Sequence, residues 1–156
     1  NLIWIMDSAT GDWAAGPADA TLIAAGDLDG DGKADLVVNY PTSGVWVQYS
    51  PTGAWSNLST DPATSITVGD FNGDGKADLA GIWSNVIWIM DSATGDWAAG
   101  PADATLIAAG DLDGDGKADL VVNYPTSGVW VQYSATGAWS NLTPSPATWI
   151  ATGILR

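Results

Sequence analysis

Apolar runs of four to seven residues alternate with clusters of Gly, Pro, Asn, Asp and Thr along the whole chain. Runs that short, rich in Val, Ile and Trp and bounded by turn residues, predict strands. In one unit the expected strands are Leu22 to Ala25, Ala34 to Tyr40, Val45 to Tyr49 and Ala54 to Asn57, the last after a Thr52-Gly53 turn. A second version of the unit gives Ser65 to Val68, Ala77 to Trp83, Val86 to Met90 and Asp96 to Ala99. Pro41, Pro62, Pro101 and Pro125 are expected between strands, where a missing N–H costs no ladder bond.

Residues 1–58 recur as residues 85–142, and only Leu2 against Val86 and Pro51 against Ala135 differ. A shorter period lies inside the long one: GDLDGDGKADL at 26–36 and 110–120, and GDFNGDGKADL at 69–79. The unit is therefore about 42 residues in two alternating versions, and four strands in such a period predict an all-β fold of β-propeller blades. A solenoid of stacked sheets is the alternative. The repeats divide one propeller segment into a partial blade at 1–21, whole blades at 22–62, 63–104 and 105–146, and a partial blade at 147–156. Asn1 to Met6 reads as a third strand and Trp149 to Gly153 as a first strand, so the chain is expected to begin and end within blades. Propellers close with ~4–8 blades, and the ring is expected to be completed by chain association. A homodimer of eight blades is favoured over a four-bladed single-chain ring.

Charge narrows the partners. All 18 acidic residues are aspartates, against four basic residues, and the formal charge is −14. Nucleic acid and anionic membranes are poor partners for such a surface. The hydrophobic fraction of 46% supports a packed core. There is no Cys and no His, which removes disulfides, thiolate metal sites and the usual general base. No apolar run approaches the ~18 residues of a membrane span, so no membrane insertion is expected. Asn1 opens the chain without a basic leader, which implies a mature or excised segment.

The motif with chemistry is Asp27-x-Asp29-x-Asp31-Gly32-x-x-Asp35, repeated as Asp70, Asn72, Asp74, Gly75, Asp78 and as Asp111, Asp113, Asp115, Gly116, Asp119. Carboxylates at positions 1, 3 and 5 converge when a glycine at 6 permits a sharp turn, and such a hard oxygen cage suits calcium. Positions 1, 3, 5 and 9 are assigned as side-chain ligands, and the backbone carbonyl of position 7, which is Lys33, Lys76 or Lys117, as a further ligand. The lysine side chains should point away. About three calcium ions per chain are expected, with the Asn72 loop binding most weakly. An EF-hand would want a glutamate at position 12, where Val38, Gly81 and Val122 stand. A solvated Asp-Gly turn without metal is the alternative.

At these residues the chain resembles the FG-GAP and VCBS repeats of integrin α-chain propellers and bacterial surface proteins, whose calcium hairpin reads much like GDGKADLVVNYP at Gly30 to Pro41. It is also similar to calcium-containing lectin propellers of the Psathyrella velutina type. Ala25-Gly26, Val68-Gly69 and Ala109-Gly110 stand in place of the family's Phe-Gly pair. The resemblance implies a calcium-stabilised propeller, secreted or at the cell surface.

Trp46, Trp88 and Trp130 share a third-strand position, and Trp13, Trp55, Trp97 and Trp139 a fourth-strand position, where neighbouring blades are expected to bury them. Tyr40, Trp83 and Tyr124 end the second strand, on the face opposite the aspartate loops, beside the interblade residues Asp19, Asp61 and Asp103. An aromatic platform next to a short acid suits a sugar, whose C–H face stacks while its hydroxyls donate. The expected function is multivalent carbohydrate or glycoprotein binding, with a non-catalytic protein-interaction propeller as the alternative. An enzyme is not expected: the Asp7/Asp12 and Asp91/Asp96 pairs bracket a turn and read as Asx caps. Asn57-Leu58-Ser59 and Asn141-Leu142-Thr143 match the N-glycosylation acceptor.

Overall fold

The computed structural model describes residues 2–6, 10–50 and 52–152; Asn1, Asp7, Ser8, Ala9, Pro51 and Gly153 of the reading above lie outside them. The described residues form an all-β fold of antiparallel sheets. β1 (Leu2–Met6) and β2 (Trp13–Ala18) form a two-stranded sheet. Blade one holds β3 (Leu22–Gly26), β4 (Asp35–Tyr40), β5 (Gly44–Gln48) and β6 (Trp55–Ser59) in sequential order. Blade two holds β7 (Ser65–Gly69), β8 (Asp78–Trp83), β9 (Val86–Met90) and β10 (Trp97–Ala102). Blade three repeats the plan with β11 (Leu106–Gly110), β12 (Asp119–Tyr124), β13 (Gly128–Gln132) and β14 (Trp139–Thr143).

Three expectations need correction. Pro101 lies inside β10, as Pro17 lies inside β2. Both strands are sheet edges, and the β9–β10 register shifts between Ala99 and Ala102, so the proline falls in a bulge that needs no ladder N–H. Residues 149–152 carry no strand, because no second strand pairs with them among the described residues. They still lie along β11: the Thr152 hydroxyl donates to the Ala109 carbonyl. The expected burial of the tryptophans fails in both strands: Trp13 is 61% exposed and Trp55, Trp97 and Trp139 are exposed too, since they occupy the outer rim, and third-strand Trp88 is exposed as well.

The second strands β4, β8 and β12 have both faces covered, which explains their nearly unbroken apolar sequences. Apolar clusters fill the gaps between blades. Leu28, Val37, Val45 and Val47 of blade one pack with Leu79 and Met90 of blade two, and Ala80, Ile82 and Ile87 of blade two pack with Ala104, Ile107, Leu120 and Val122. Gly69 permits this approach, because a Cβ there would lie 2.6 Å from the Cβ of Ala118 in the next blade. Close beside it, Ala118 donates its N–H to the Asp70 carbonyl at 2.8 Å, and Ala77 donates to Asp27 at 2.7 Å.

Candidate metal centre and ligand surface

Each aspartate loop connects the first and second strands of a blade. Position 6 has a positive φ in all three copies, +86° at Gly32 and +90° at Gly75 and Gly116, a region closed to most side chains. That turn folds the loop around its first aspartate. Asp27 Oδ1 accepts the N–H groups of Gly30 at 2.7 Å and Asp31 at 3.0 Å, and Oδ2 accepts that of Gly32 at 2.8 Å. Asp70 and Asp111 accept the equivalent three donors. Desolvation pushes the Asp27 carboxyl up, but the N–H groups of Gly32, Gly30 and Asp31 outweigh it and hold the group below its ordinary value.

In the first and third loops three carboxylates gather on one point, without Asp31 in the first or Asp119 in the third. Oxygens of Asp27, Asp29 and Asp35 lie within 4.8 Å of one another, as do those of Asp111, Asp113 and Asp115. Desolvation, and the charges of Asp115, Asp119 and Asp111 beyond what the Asp115 N–H offsets, push the Asp113 carboxyl up. The group in the first loop takes in Asp35 and not Asp31, whose Oδ1 accepts the Lys33 N–H at 2.9 Å. In the middle loop Asn72 Nδ2 donates to Asp74 Oδ2 at 3.3 Å, so an amide stands where the other loops set two like negative charges side by side. These donor sets of carboxylate and carbonyl oxygen fit a hard divalent cation. Lysine stems reach across blades: a Cβ at Gly30 would lie 3.1 Å from Lys76 Cε, and one at Gly73 would lie 2.7 Å from Lys117 Cε.

Position 9 has a role the spacing did not disclose. Asp35 is 1% exposed, and its Oδ2 accepts the Leu28 N–H while Oδ1 accepts that of Ser50, both at 2.9 Å. Asp78 ties Phe71 and Ser92, and Asp119 ties Leu112 and Ser134, in the same way. Burial pushes the Asp78 carboxyl up, against the N–H groups of Ser92 and Phe71 and with help from the charges of Asp91 and Asp74. The one outward sign in the sequence is that Ser50, Ser92 and Ser134 recur at matching places, although their backbones make the bond.

At the opposite ends of the second strands, Trp83 donates its indole N–H to the Asp61 carbonyl at 2.8 Å and meets Trp97 edge to face at 5.4 Å. Burial, then the Asp103 charge, push the Tyr124 phenol up. Tyr40 is half-buried, and burial raises its phenol as well. Asp19 and Asp103 adopt φ of +63° and +67° in exposed turns. Trp83 thus reaches the backbone of Asp61, the interblade residue expected beside it.

The acceptor asparagines are committed to the fold. Asn57 Nδ2 donates to the carbonyls of Ser59 at 3.1 Å and Val45 at 3.3 Å, and Asn141 Nδ2 to those of Val129 and Thr143, both at 3.3 Å. The Asp91 pair reads as a cap: its Oδ1 accepts the N–H groups of Ala93 and Thr94. No helix among the described residues is long and apolar enough to cross a membrane. Residues 27–81 match the FG-GAP-like repeat family and residues 104–139 the FG-GAP repeat family. A search among curated proteins found no match.

Proposed function

The chain carries FG-GAP-type repeats, and from that premise we propose that it is a calcium-stabilised, non-catalytic binding propeller that presents repeated carbohydrate sites between its blades. Calcium would be held by Asp27, Asp29, Asp31, Asp35 and the Lys33 carbonyl in the first loop. Asp70, Asn72, Asp74, Asp78 and the Lys76 carbonyl would hold it in the second, and Asp111, Asp113, Asp115, Asp119 and the Lys117 carbonyl in the third. The ion supplies positive charge that offsets the gathered carboxylates. The convergence of three carboxylates on one point in the first and third loops carries this reading. Position 1 orients its oxygens through three backbone N–H groups, and position 9 clamps the loop to the turn after the third strand.

The ligand surface is the row of Tyr40, Trp83 and Tyr124 with Asp19, Asp61 and Asp103. Its support is the meeting of the Trp83 ring with the backbone of Asp61, in the loop that precedes its blade. Several equivalent sites of modest affinity act together on a multivalent glycan or glycoprotein, where the second contact is effectively intramolecular. The setting is extracellular or at the cell surface, and copies associate to complete the ring.

A glycan array followed by calorimetry tests the reading. Binding to a defined sugar is expected, and Tyr124→Ala should reduce the number of sites, beside a lowered melting temperature from the packing this ring makes against the Ile107 and Leu120 cluster. An array without binding, with a protein captured through the exposed Trp13, Trp55 and Trp139 rim instead, would favour the protein-interaction alternative.

A further inference from the structure

β1 and β9 read Leu-Ile-Trp-Ile-Met and Val-Ile-Trp-Ile-Met and hold the chain's two methionines, yet Met90 is 6% exposed and Met6 is 49% exposed. The difference lies in what covers them. Met90 packs with Leu28, Val37, Val45 and Val47 of the preceding blade. Blade three repeats those four residues as Leu112, Val121, Val129 and Val131, and here the leucine is bare: Leu112 is 42% exposed where Leu28 is 3%. A cleft of about 820 Å³ opens at this place, lined by Leu112, Val121, Val129, Leu142, Trp149 and Ile150, with Leu142 50% and Trp149 76% exposed.

The molecule therefore displays one half of a known joint at each of two places. At the blade-three side, Ala147 and Ile150 already pack against Val121, Val129 and Val131, as Ala63 and Ile66 pack against Val37, Val45 and Val47. Thr152 crowds Gly110 as Val68 crowds Gly26. What the cleft lacks, by comparison with the joint of blades one and two, is the Leu79 side chain of the second strand and the methionine-bearing third strand. On the β1 side, Leu2, Trp4, Ile5 and Met6 are each more than two-fifths exposed, an apolar density that marks a contact surface.

We propose that β1 of a second copy seats Met6 in the Leu112–Leu142 cleft, reproducing between chains the packing that Met90 makes within one. The proposal rests on the reading that copies associate to complete the ring, and names the surface that does so. The contact is heterologous, head to tail, so two copies that each contribute one Met6 face and one Leu112 cleft close on themselves, and copies that fail to close grow into longer assemblies.

Light scattering over a concentration series in calcium buffer tests it. A mass of two chains is expected, and Met6→Lys or Leu112→Asp should each reduce it to one chain with an unchanged far-ultraviolet spectrum, since both side chains are exposed in the single chain. Mixing the two variants should restore association, because one joint is then native and the other pairs a lysine with an aspartate. Should Met6→Lys unfold, Met6→Gln is read the same way. Masses above two chains that either substitution abolishes would support the contact in its open form. A wild-type mass fixed at one chain would overturn association altogether. A two-chain mass retained by both variants would overturn this surface and leave ring completion by a second copy standing.

Discussion

The carboxylate of Asp35 accepts the backbone N–H of Ser50 at 2.9 Å, across fifteen residues of chain. With its second oxygen on Leu28, the buried side chain joins the aspartate loop to the turn after the third strand. A carboxylate read from spacing as a metal ligand is therefore also a structural clamp. Replacing Asp35 by Ala leaves two N–H groups without their acceptor, at about 1–3 kcal/mol each where they are buried. Thermal melts should show the loss in chelator as well as in calcium, whereas Asp29→Ala, at an exposed position, should show it in calcium alone.

Chelation is expected to lower the melting temperature of the wild-type chain. A ligand bound only by the native state stabilises it by RT ln(1 + [L]/Kd), about 2.7 kcal/mol per site at 100 Kd. Calorimetric scans with and without excess chelator measure the shift. Superimposable curves would count against bound calcium.

The middle loop should be the weak one. Asn72 removes one negative charge and donates to Asp74 at 3.3 Å, which quiets the loop before any cation arrives. Asn72→Asp should raise calcium affinity at that site roughly tenfold, ~1.4 kcal/mol, and lower the stability of the metal-free protein by restoring repulsion. Isothermal titration that finds three equal sites in the wild type would refute the first half.

Gly69 sits where blade two meets blade three, with Ala118 and Ala109 of the next blade at 2.6 and 3.1 Å from a Cβ placed there. Gly69→Ala should destabilise by about 1–3 kcal/mol, the ordinary cost of overpacking. Gly32→Ala tests a different cause, since nothing lies within 4 Å of its Cβ position and φ of +86° alone opposes the side chain. Urea titration of both variants should show losses at both sites, with the Gly69 loss also visible as looser packing of the neighbouring blade.

Strands and loops were legible because each rests on a local signal. Apolar runs bounded by turn residues located every strand from β3 to β14 with ends displaced by at most a few residues, and Asp-x-Asp-x-Asp-Gly located the loops. Features settled by partners at a distance were hidden. The clamp at Asp35, Asp78 and Asp119 works through backbone N–H groups, which carry no residue identity. Asn57 matches a modification acceptor in sequence, while its amide is spent on Val45 and Ser59. Pro101 looked like a strand breaker until β10 proved to be an edge with a bulge. The rim tryptophans looked like core because hydrophobicity alone does not say which strand of a blade lies outermost.

The joints between blades are of two kinds. Asn39 accepts the Ala63 N–H at 2.8 Å and donates to Thr21 at 2.7 Å, and Asn123 does the same with Ala147 and Thr105. At the matching place in blade two stands Ile82, buried against the blade-three cluster, and the cross-blade bond there comes instead from its strand neighbour Ser65, whose hydroxyl accepts the Ile107 N–H at 3.3 Å. Joints bridged by an asparagine side chain and joints bridged by a serine hydroxyl thus alternate as the two versions of the unit alternate. A closed circle that preserves both kinds obeys a parity condition: it holds an even number of blades, and an odd circle would bring two like units together with one joint mismatched.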